Sequence, residues 1–205
     1  MSAATPFLSA LLMLAAPGEA ADLPYRLPVP QPDAAAQLAE MIGLYDEICL
    51  KAFPDDNAVK RAVTARGTAA TEMRKSELRR YLHDDPGVGW FLAGRTGRFE
   101  ITIEGPPFHA CGIRTLTVSG FPDLSSYRQL ADAFEAGHDA QKIGPENFTV
   151  GKVDSIGGGE TWKRTDSADE ALLVFSSTPS ADVRVAGKDG VEMRFVHQIH
   201  RGEGH

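Results

Sequence analysis

Apolar residues first recur along the chain at helical spacing. They follow Asp33, a residue type that commonly caps helix N-termini, and the pattern ends at Phe53-Pro54. The apolar positions fall at i, i+3, i+4, i+7, i+10, i+11 and i+14, so they share one helix face. They are Leu38, Met41, Ile42, Tyr45, Ile48, Cys49 and Ala52. We therefore expect a long helix with one buried stripe.

Two shorter helices are expected next. Asp55 or Asp56 is placed to cap a helix over Val59 to Val63, and Gly67 offers a left-handed stop behind it. A third helix is predicted from about Ser76 to Leu82. The turn that closes this helix reads His83-Asp84-Asp85-Pro86-Gly87.

From Trp90 the apolar period changes from helical to alternating, which is typical of a half-buried strand. The alternation is plainest at Phe99, Ile101 and Ile103. Gly105-Pro106-Pro107 must then turn the chain, so His109 to Val118 is predicted to return as the second strand of a long hairpin.

A single helix, between an Asp123 cap and Gly137, is predicted to interrupt the sheet. We interpret Gly157-Gly158-Gly159-Glu160 as a loop, because it lacks the Lys-Ser/Thr ending of a phosphate-binding loop. Four strand-like segments are expected between turn residues: Thr161 to Arg164, Ala171 to Ser177, Val183 to Ala186 and Val191 to Ile199. The fold class is therefore α+β, with N-terminal helices packed on a mainly antiparallel β-sheet of hairpin, inserted helix and C-terminal meander.

Residues 1–20 have the features of a cleavable secretion signal. The apolar run from Phe7 to Ala16 is too short for a transmembrane helix, which needs about 20 apolar residues, and small residues precede a cleavage point after Ala20. The segment carries no Lys or Arg, so a buried N-terminal helix is the alternative. We expect a Pro-rich extended leader over 21–32, a single domain over 33–199 and a flexible C-terminal tail over 200–205.

The two cysteines are the most interpretable chemistry in the chain. Cys49 lies on the apolar helix stripe and Cys111 shares a strand face with Ile113, so both side chains are expected to point inward. An even number of cysteines in an exported protein favours a disulfide, here one that ties helix to sheet. His109 falls on the same strand face as Cys111, which leaves two alternatives: a histidine-activated thiolate, or a metal site that includes Cys49.

Charge is distributed unevenly along the chain. The formal net charge is -7, so the molecule as a whole does not attract nucleic acid or anionic lipid. Residues 60–80 nevertheless hold seven Lys or Arg against two Glu. Within them Arg74, Lys75, Arg79 and Arg80 are candidates to bind an anion. The alternative is a solvated helix face that balances the surrounding acids.

Three of the six histidines lie close to the C-terminus, at His197, His200 and His205. They are weak candidates for a metal site, because zinc needs three or four ligands and no Cys or Asp stands near them. His197 shares its strand face with apolar residues such as Phe195 and Ile199. We expect it to be either a hydrogen-bonded core histidine or the floor of a pocket.

Short catalytic signatures are absent from the sequence: it has no Gly-x-Ser-x-Gly, His-Glu-x-x-His, Cys-x-x-Cys or Gly-x-Gly-x-x-Gly. An acid and a base would have to come from a scattered set of weak candidates. These are His109, His83, Asp84, Asp85 and His197. The Asp-Asp-Pro-Gly run is also what a turn prefers.

These observations favour an exported, periplasmic or extracellular, non-enzymatic binding domain. Its ligand is unknown, its partner is expected in the cell envelope or outside the cell, and neither a cofactor, a nucleic acid nor a transmembrane segment of the mature chain is expected. One alternative is a cell-envelope hydrolase that uses a His/Asp acid–base pair. The other is a metal-handling protein that uses the C-terminal histidines.

Overall fold

A computed structural model describes residues 33–117, 123–150, 153–179 and 190–201. The predicted secretion signal (1–20), the Pro-rich leader (21–32), the predicted strand Val183 to Ala186 and His205 lie outside these residues. Among the residues described, no helix is both long enough and apolar enough to cross a membrane.

The N-terminal helices form where the sequence predicts them. They are α1 (Ala34–Tyr45), a π-helical segment (Asp46–Ala52), α2 (Asp56–Thr64) and α3 (Lys75–Leu82). The Asp33 carboxylate accepts the N–H of Ala35 at 3.1 Å, and the Asp55 carboxylate accepts those of Asn57 and Ala58 at 2.9 and 3.1 Å. The backbone N–H groups of a first helical turn have no partner within the helix, and these two carboxylates satisfy some of them. Helices α1 and α2 therefore begin directly after Asp33 and Asp55.

In the described part of the chain, eight strands form one antiparallel sheet. They are β1 (Ala70–Glu72), β2 (Gly87–Ala93), β3 (Arg98–Glu104), β4 (Phe108–Thr117), β5 (Gln141–Val150), β6 (Val153–Lys163), β7 (Asp169–Pro179) and β8 (Val191–His200). Helix α4 (Ser125–Phe134) lies between β4 and β5 in the chain. The strand order is β1-β2-β3-β4-β8-β7-β6-β5, so two meanders join where β4 pairs with β8. The predicted α+β class is confirmed.

The main core lies between one face of this sheet and the helical stripe. The stripe residues Met41, Tyr45, Ile48 and Cys49 are completely buried. The sheet supplies alternate residues of neighbouring strands, as period-two alternation predicts. These include Trp90, Leu92, Phe99, Ile101, Ile113, Met193 and Phe195.

Helix α3 covers the opposite face at the β2 end of the sheet. A Cβ atom built on Gly89 would lie 2.8 Å from the Met73 sulfur and 2.9 Å from a methyl group of Leu78. The missing side chain is therefore what lets this helix approach the strand.

Two polar side chains of α1 hold the helix against the strand ends. The Glu40 carboxylate accepts the backbone N–H groups of Arg95 and Thr96 at 2.9 and 2.7 Å. Gln37 Nε2 donates to Thr115 Oγ1 at 2.6 Å from a fully buried position. Because Glu40 bonds to the turn between β2 and β3 and Gln37 bonds to β4, the rotation of α1 about its axis is restricted by polar contacts as well as by packing.

Strands β5 and β6 depart from the sequence prediction. Gly157-Gly158-Gly159-Glu160 is not a loop, because all four residues pair with β7 inside β6. A Cβ on Gly159 would lie 2.1 Å from the Leu172 carbonyl oxygen, so a glycine is needed there for the strands to approach. Strand β5 was not predicted, because its side chains, where described, are all exposed and show no alternation of buried and exposed positions.

The predicted disulfide is confirmed. Cys49 of the π-helical segment is bonded to Cys111 of β4, with a Cα–Cα distance of 5.3 Å and a sequence separation of 62 residues. Both residues are fully buried. The bond therefore ties the helical layer to the middle of the sheet.

Removal of this bond should destabilise the fold. We expect the double variant Cys49→Ala/Cys111→Ala to lose about 2–5 kcal/mol of unfolding free energy, because a long loop is no longer restrained in the unfolded chain. Urea denaturation followed by circular dichroism measures the change. Reduced wild-type protein serves as the control and should approach the variant. An unchanged urea midpoint in the variant would contradict the proposed stabilisation.

Candidate functional site

A cavity of about 290 Å³ lies between α4 and strands β5, β6 and β7. Its helical wall includes Tyr127 and Ala131, and its sheet wall includes Val174. The lining is mostly apolar, with charged side chains at one end and at the rim. Such concave, largely apolar spaces with few polar groups are where small molecules bind in proteins.

The glycines of β6 create room for the cavity. Ile156, Gly158 and Glu160 alternate along β6 and therefore face the same side of the sheet. A side chain is missing at the middle position, where a Cβ would come within 3.3 Å of the Ile143 carbonyl oxygen. No side chain therefore projects from the sheet at Gly158, which lies between apolar Ile156 and the carboxylate of Glu160.

A carboxyl group of the cavity wall acts on a second, buried carboxyl beside it. Glu160 lines the cavity, and it acts electrostatically on Glu135, which follows α4 and is not itself a lining residue. Glu135 is only 6% exposed, and its Oε1 has no hydrogen-bond partner among the described residues. Burial, and next the hydrogen bond and charge of Glu160, raise the pKa of Glu135 to about 8. Glu135 therefore keeps its proton at neutral pH.

Two cationic side chains flank this pair of carboxyls. Lys142 Nζ lies 3.7 Å from Glu160 Oε1, and Arg128 lies with Asp132 on the exposed side of α4 at the rim. The aromatic ring of Tyr127 closes the inner wall by stacking on Phe195 with 4.3 Å between ring centroids. Polar groups are thus concentrated at one end and at the rim, while the inner wall is aromatic and aliphatic.

His197 lies in the core, on the strand face that the sequence predicts. It is 1% exposed, its Nδ1 donates to the Cys49 carbonyl oxygen at 2.6 Å, and its Nε2 lies 2.5 Å from Glu170 Oε1. Burial raises the pKa of Glu170, but the bonds from His197 and Arg164 outweigh it, so the pKa is lowered overall. His197 therefore joins β7, β8 and the π-helical segment through a buried network.

His109 forms a second histidine–carboxylate pair nearer the surface. Its Nε2 lies 2.7 Å from Asp56 Oδ1, and its ring packs on Phe53 with 4.6 Å between centroids. The imidazole side chain is 22% exposed. The described residues show no hydrogen bond or ion pair between His109 and His83, the pairing that an acid–base site drawn from these two would need.

The remaining sequence candidates lie on α3 and its closing turn. Arg74 pairs with Glu77 at 2.8 Å, and Arg79 pairs with Asp84 at the same distance. Lys75 and Arg80 occupy the same exposed helix, and Asp85 lies in the turn behind His83. Arg74 and Arg79 thus already have carboxylate partners, and anion binding stays a prediction.

A metal centre does not emerge from the part of the chain that the structure describes. No group of three or more His, Cys, Asp or Glu side chains is arranged there to hold an ion. His200 stacks on Phe108 with 4.5 Å between ring centroids, and His197 is engaged in the core. His205 lies outside the described residues, so the metal-binding hypothesis for the three histidines stays a prediction.

The carboxyl pair at the cavity was missed by the sequence reasoning. Glu135 and Glu160 are 25 positions apart in the chain and belong to no motif. The available signal was the glycine triplet before Glu160, since consecutive glycines inside a strand often mark a close approach of backbone or ligand. The glycine triplet marks a cavity only because α4 and β5 supply the other lining residues.

No family model, curated protein or solved structure matches this chain significantly.

The cavity carboxyls should impose a measurable pH dependence on stability. Because the pKa of Glu135 is raised to about 8, folding binds a proton between about pH 5 and 8, and stability falls as pH rises through that window. We expect Glu135→Gln to flatten this fall, by at most about 1.4 kcal/mol per pH unit. Urea denaturation at several pH values measures it. Parallel stability curves for the variant and the wild type would contradict the raised pKa of Glu135.

The core pair Glu170–His197 should have the opposite dependence. Since the pKa of Glu170 is lowered by folding, its contribution is present above the ordinary glutamate pKa and is lost as pH falls through the lowered value. We expect Glu170→Gln to cost about 1–3 kcal/mol at neutral pH and less in acid. The neighbour Asp169, which is partly exposed and ion-paired with the exposed Lys163, is the control, and Asp169→Asn should change stability by less than about 1 kcal/mol. Equal losses in the two variants would contradict a special role for Glu170.

Proposed function

We propose that this protein is a non-enzymatic binding domain that holds a small, largely apolar molecule between α4 and strands β5 to β7. The observation that carries the proposal is the cavity of about 290 Å³, which is kept open by glycine at position 158. This volume is at the lower end of the roughly 300–1,000 Å³ of small-molecule sites.

Burial of apolar surface would provide most of the affinity. Ala131, Val174 and Leu172 line the cavity with aliphatic groups, and each square ångström of apolar surface removed from water contributes roughly 25 cal/mol. The polar groups at one end would orient the molecule rather than hold it. Exposed Ile156 and Ile143 extend the apolar surface to the rim, where a ligand would enter.

The disulfide supports an oxidising compartment. A bond between Cys49 and Cys111 is typical of an oxidising environment, since cytosolic reductants keep most thiols reduced. The predicted secretion signal is consistent with the same compartment. We propose that the domain binds its ligand in the periplasm or outside the cell.

A hydrolase of the cell envelope is the second candidate, and one observation favours it. His109 and Asp56 form a pair at 2.7 Å with both side chains partly exposed, which is the arrangement of a base and its orienting carboxylate. The other pair, His197 with Glu170, is buried and has its hydrogen bonds satisfied by the core. Hydrolysis of nitrophenyl esters that disappears in His109→Ala would favour this candidate over the binding domain.

Binding of a neutral fluorescent probe tests the proposed function. N-phenyl-1-naphthylamine should bind the wild type with increased fluorescence, and Val174→Phe should weaken binding about tenfold or more by filling the cavity. The matched control is Leu173→Phe, one residue along β7 on the opposite sheet face. Circular dichroism checks that both variants fold.

The possible results either support the cavity as the binding site or overturn it. Weaker binding in Val174→Phe alone supports the cavity as the site. Equal binding by the wild type and both folded variants, or no binding by the wild type, would overturn the proposal. Ser176→Leu, at the cavity rim, replaces Val174→Phe if that variant does not fold.

A further inference from the structure

We infer that the sheet face opposite α1 and α4 binds an oxyanion, a phosphate or carboxylate group, between Arg114 of β4 and Arg194 of β8. We call this the outer face of the sheet. The inference goes beyond the proposed function, because the cavity lies on the side of the sheet that α4 covers and neither arginine lines it.

The two arginines stand directly opposite each other. Successive side chains of a strand point to opposite faces, and Ile113 and Phe195 are buried in the core, so Arg114 and Arg194 project from the outer face. They are register partners in the ladder between β4 and β8. Like charges in this relation destabilise a sheet. A negative group beside both side chains would remove the repulsion.

The guanidinium groups have donors without acceptors. Arg194 Nε is buried and has no hydrogen-bond partner among the described residues. Arg114 is only 9% exposed, and its ion pair with Glu192 spans 3.9 Å, which is longer than a hydrogen bond. Buried donors in proteins nearly always have an acceptor, so this place favours a ligand that supplies one. The planar donor fork of arginine matches the oxygens of phosphate and carboxylate groups.

Aromatic rings restrain both guanidinium groups. The guanidinium carbon of Arg114 lies 4.4 Å from the ring centroid of Tyr81 on α3. That of Arg194 lies 5.9 Å from the ring centroid of Phe175, its register partner on β7. Side chains that already rest on aromatic rings lose less freedom when a ligand binds, so the two donor groups are preorganised.

The carboxylates of the outer face offset its charge but do not occupy these donors. Three of them share the face with the arginine pair and with Arg98: Glu100, Glu104 and Glu192. Their recorded ion pairs with the arginines of this face, at 3.8 Å for Arg98 and 3.9 Å for Arg114, are too long for hydrogen bonds. Burial raises the pKa of Glu100 to about 7, so this carboxyl is only partly ionised at neutral pH. The arginines therefore keep a small excess of positive charge.

The charge of Arg194 shows the same deficit. Burial, and next the like charge of Arg114, lower the pKa of Arg194 to about 10, and Glu192 and Glu104 offset this only in part. An anion between the two guanidinium groups would counter both effects, since it brings an opposite charge and acceptor oxygens to the same point.

Nuclear magnetic resonance of the isotope-labelled full chain tests the site. Sodium phosphate replaces sodium chloride at constant ionic strength, and the arginine Nε–Hε signals report on each guanidinium group. We expect the signals of Arg114 and Arg194 to shift saturably, with a dissociation constant of about 1 mM or tighter. A parallel titration with sodium acetate shows whether a phosphate or a carboxylate group is preferred.

Matched variants locate the binding. Arg114→Gln and Arg194→Gln should each weaken phosphate binding at least about tenfold. The control is Arg98→Gln, which removes the same charge from the same face. The Arg98 side chain is 52% exposed, so this change should alter the affinity less than about threefold. If the glutamine variants do not fold, Arg194→Lys keeps the charge without the planar fork and should still weaken binding.

The results either support this site or overturn it. Saturable shifts of the Arg114 and Arg194 signals that are lost in the variants support it. Shifts that do not saturate, or an affinity that falls as much in Arg98→Gln as in Arg194→Gln, would overturn it. The cavity variant Val174→Phe should bind phosphate like the wild type, so a failure here leaves the proposed function unaffected.

Discussion

The pairing of β4 with β8 is the constraint on which the rest of the structure depends. These strands lie about 80 positions apart in the chain, and ten residues of each stand in register. Without this ladder the two four-stranded meanders would have no common sheet. Cys111 stands opposite His197 in that register. Cys111 is joined to Cys49 by the disulfide, and His197 donates a hydrogen bond to the Cys49 carbonyl oxygen. Sheet, helix and disulfide therefore reinforce one another at a single place.

This junction also explains the position of the cavity. With β8 fixed beside β4, the second meander extends away from α1, and among the described residues α4 is the helix that lies against the core-side face of its outer strands, β6 and β5. One helix with a small residue at Ala131, over a strand with glycine at 158, does not fill the space between them. The first meander has α1 and the π-helical segment instead, and its face is closed by large side chains such as Trp90 and Phe99. The half of the sheet with the thinner cover is the half that carries the candidate site.

Buried carboxyls serve opposite purposes at two places in the molecule. Glu170 is surrounded by donors from His197 and Arg164, so its charge is stabilised and its pKa is lowered despite burial. Glu135 meets another carboxyl instead, so burial prevails and its pKa is raised. The first arrangement is what a structural network requires, because every partner is already present. The second leaves an acceptor open, and this difference separates the core network from the candidate site.

The sequence by itself determined the local elements: the caps at Asp33 and Asp55, the buried stripe of α1, and the β3–β4 hairpin all follow from spacing and turn chemistry. It also led to the disulfide, because each cysteine lies on a buried face that its own element defines. Only the tertiary structure decided that Gly157 to Gly159 lie inside β6 and that Glu135 meets Glu160. Glycine carries no side-chain period to predict a strand, and two glutamates on different elements have no spacing that joins them. What periodicity encodes could be predicted, whereas the candidate site arises from contacts between elements that have no local signature.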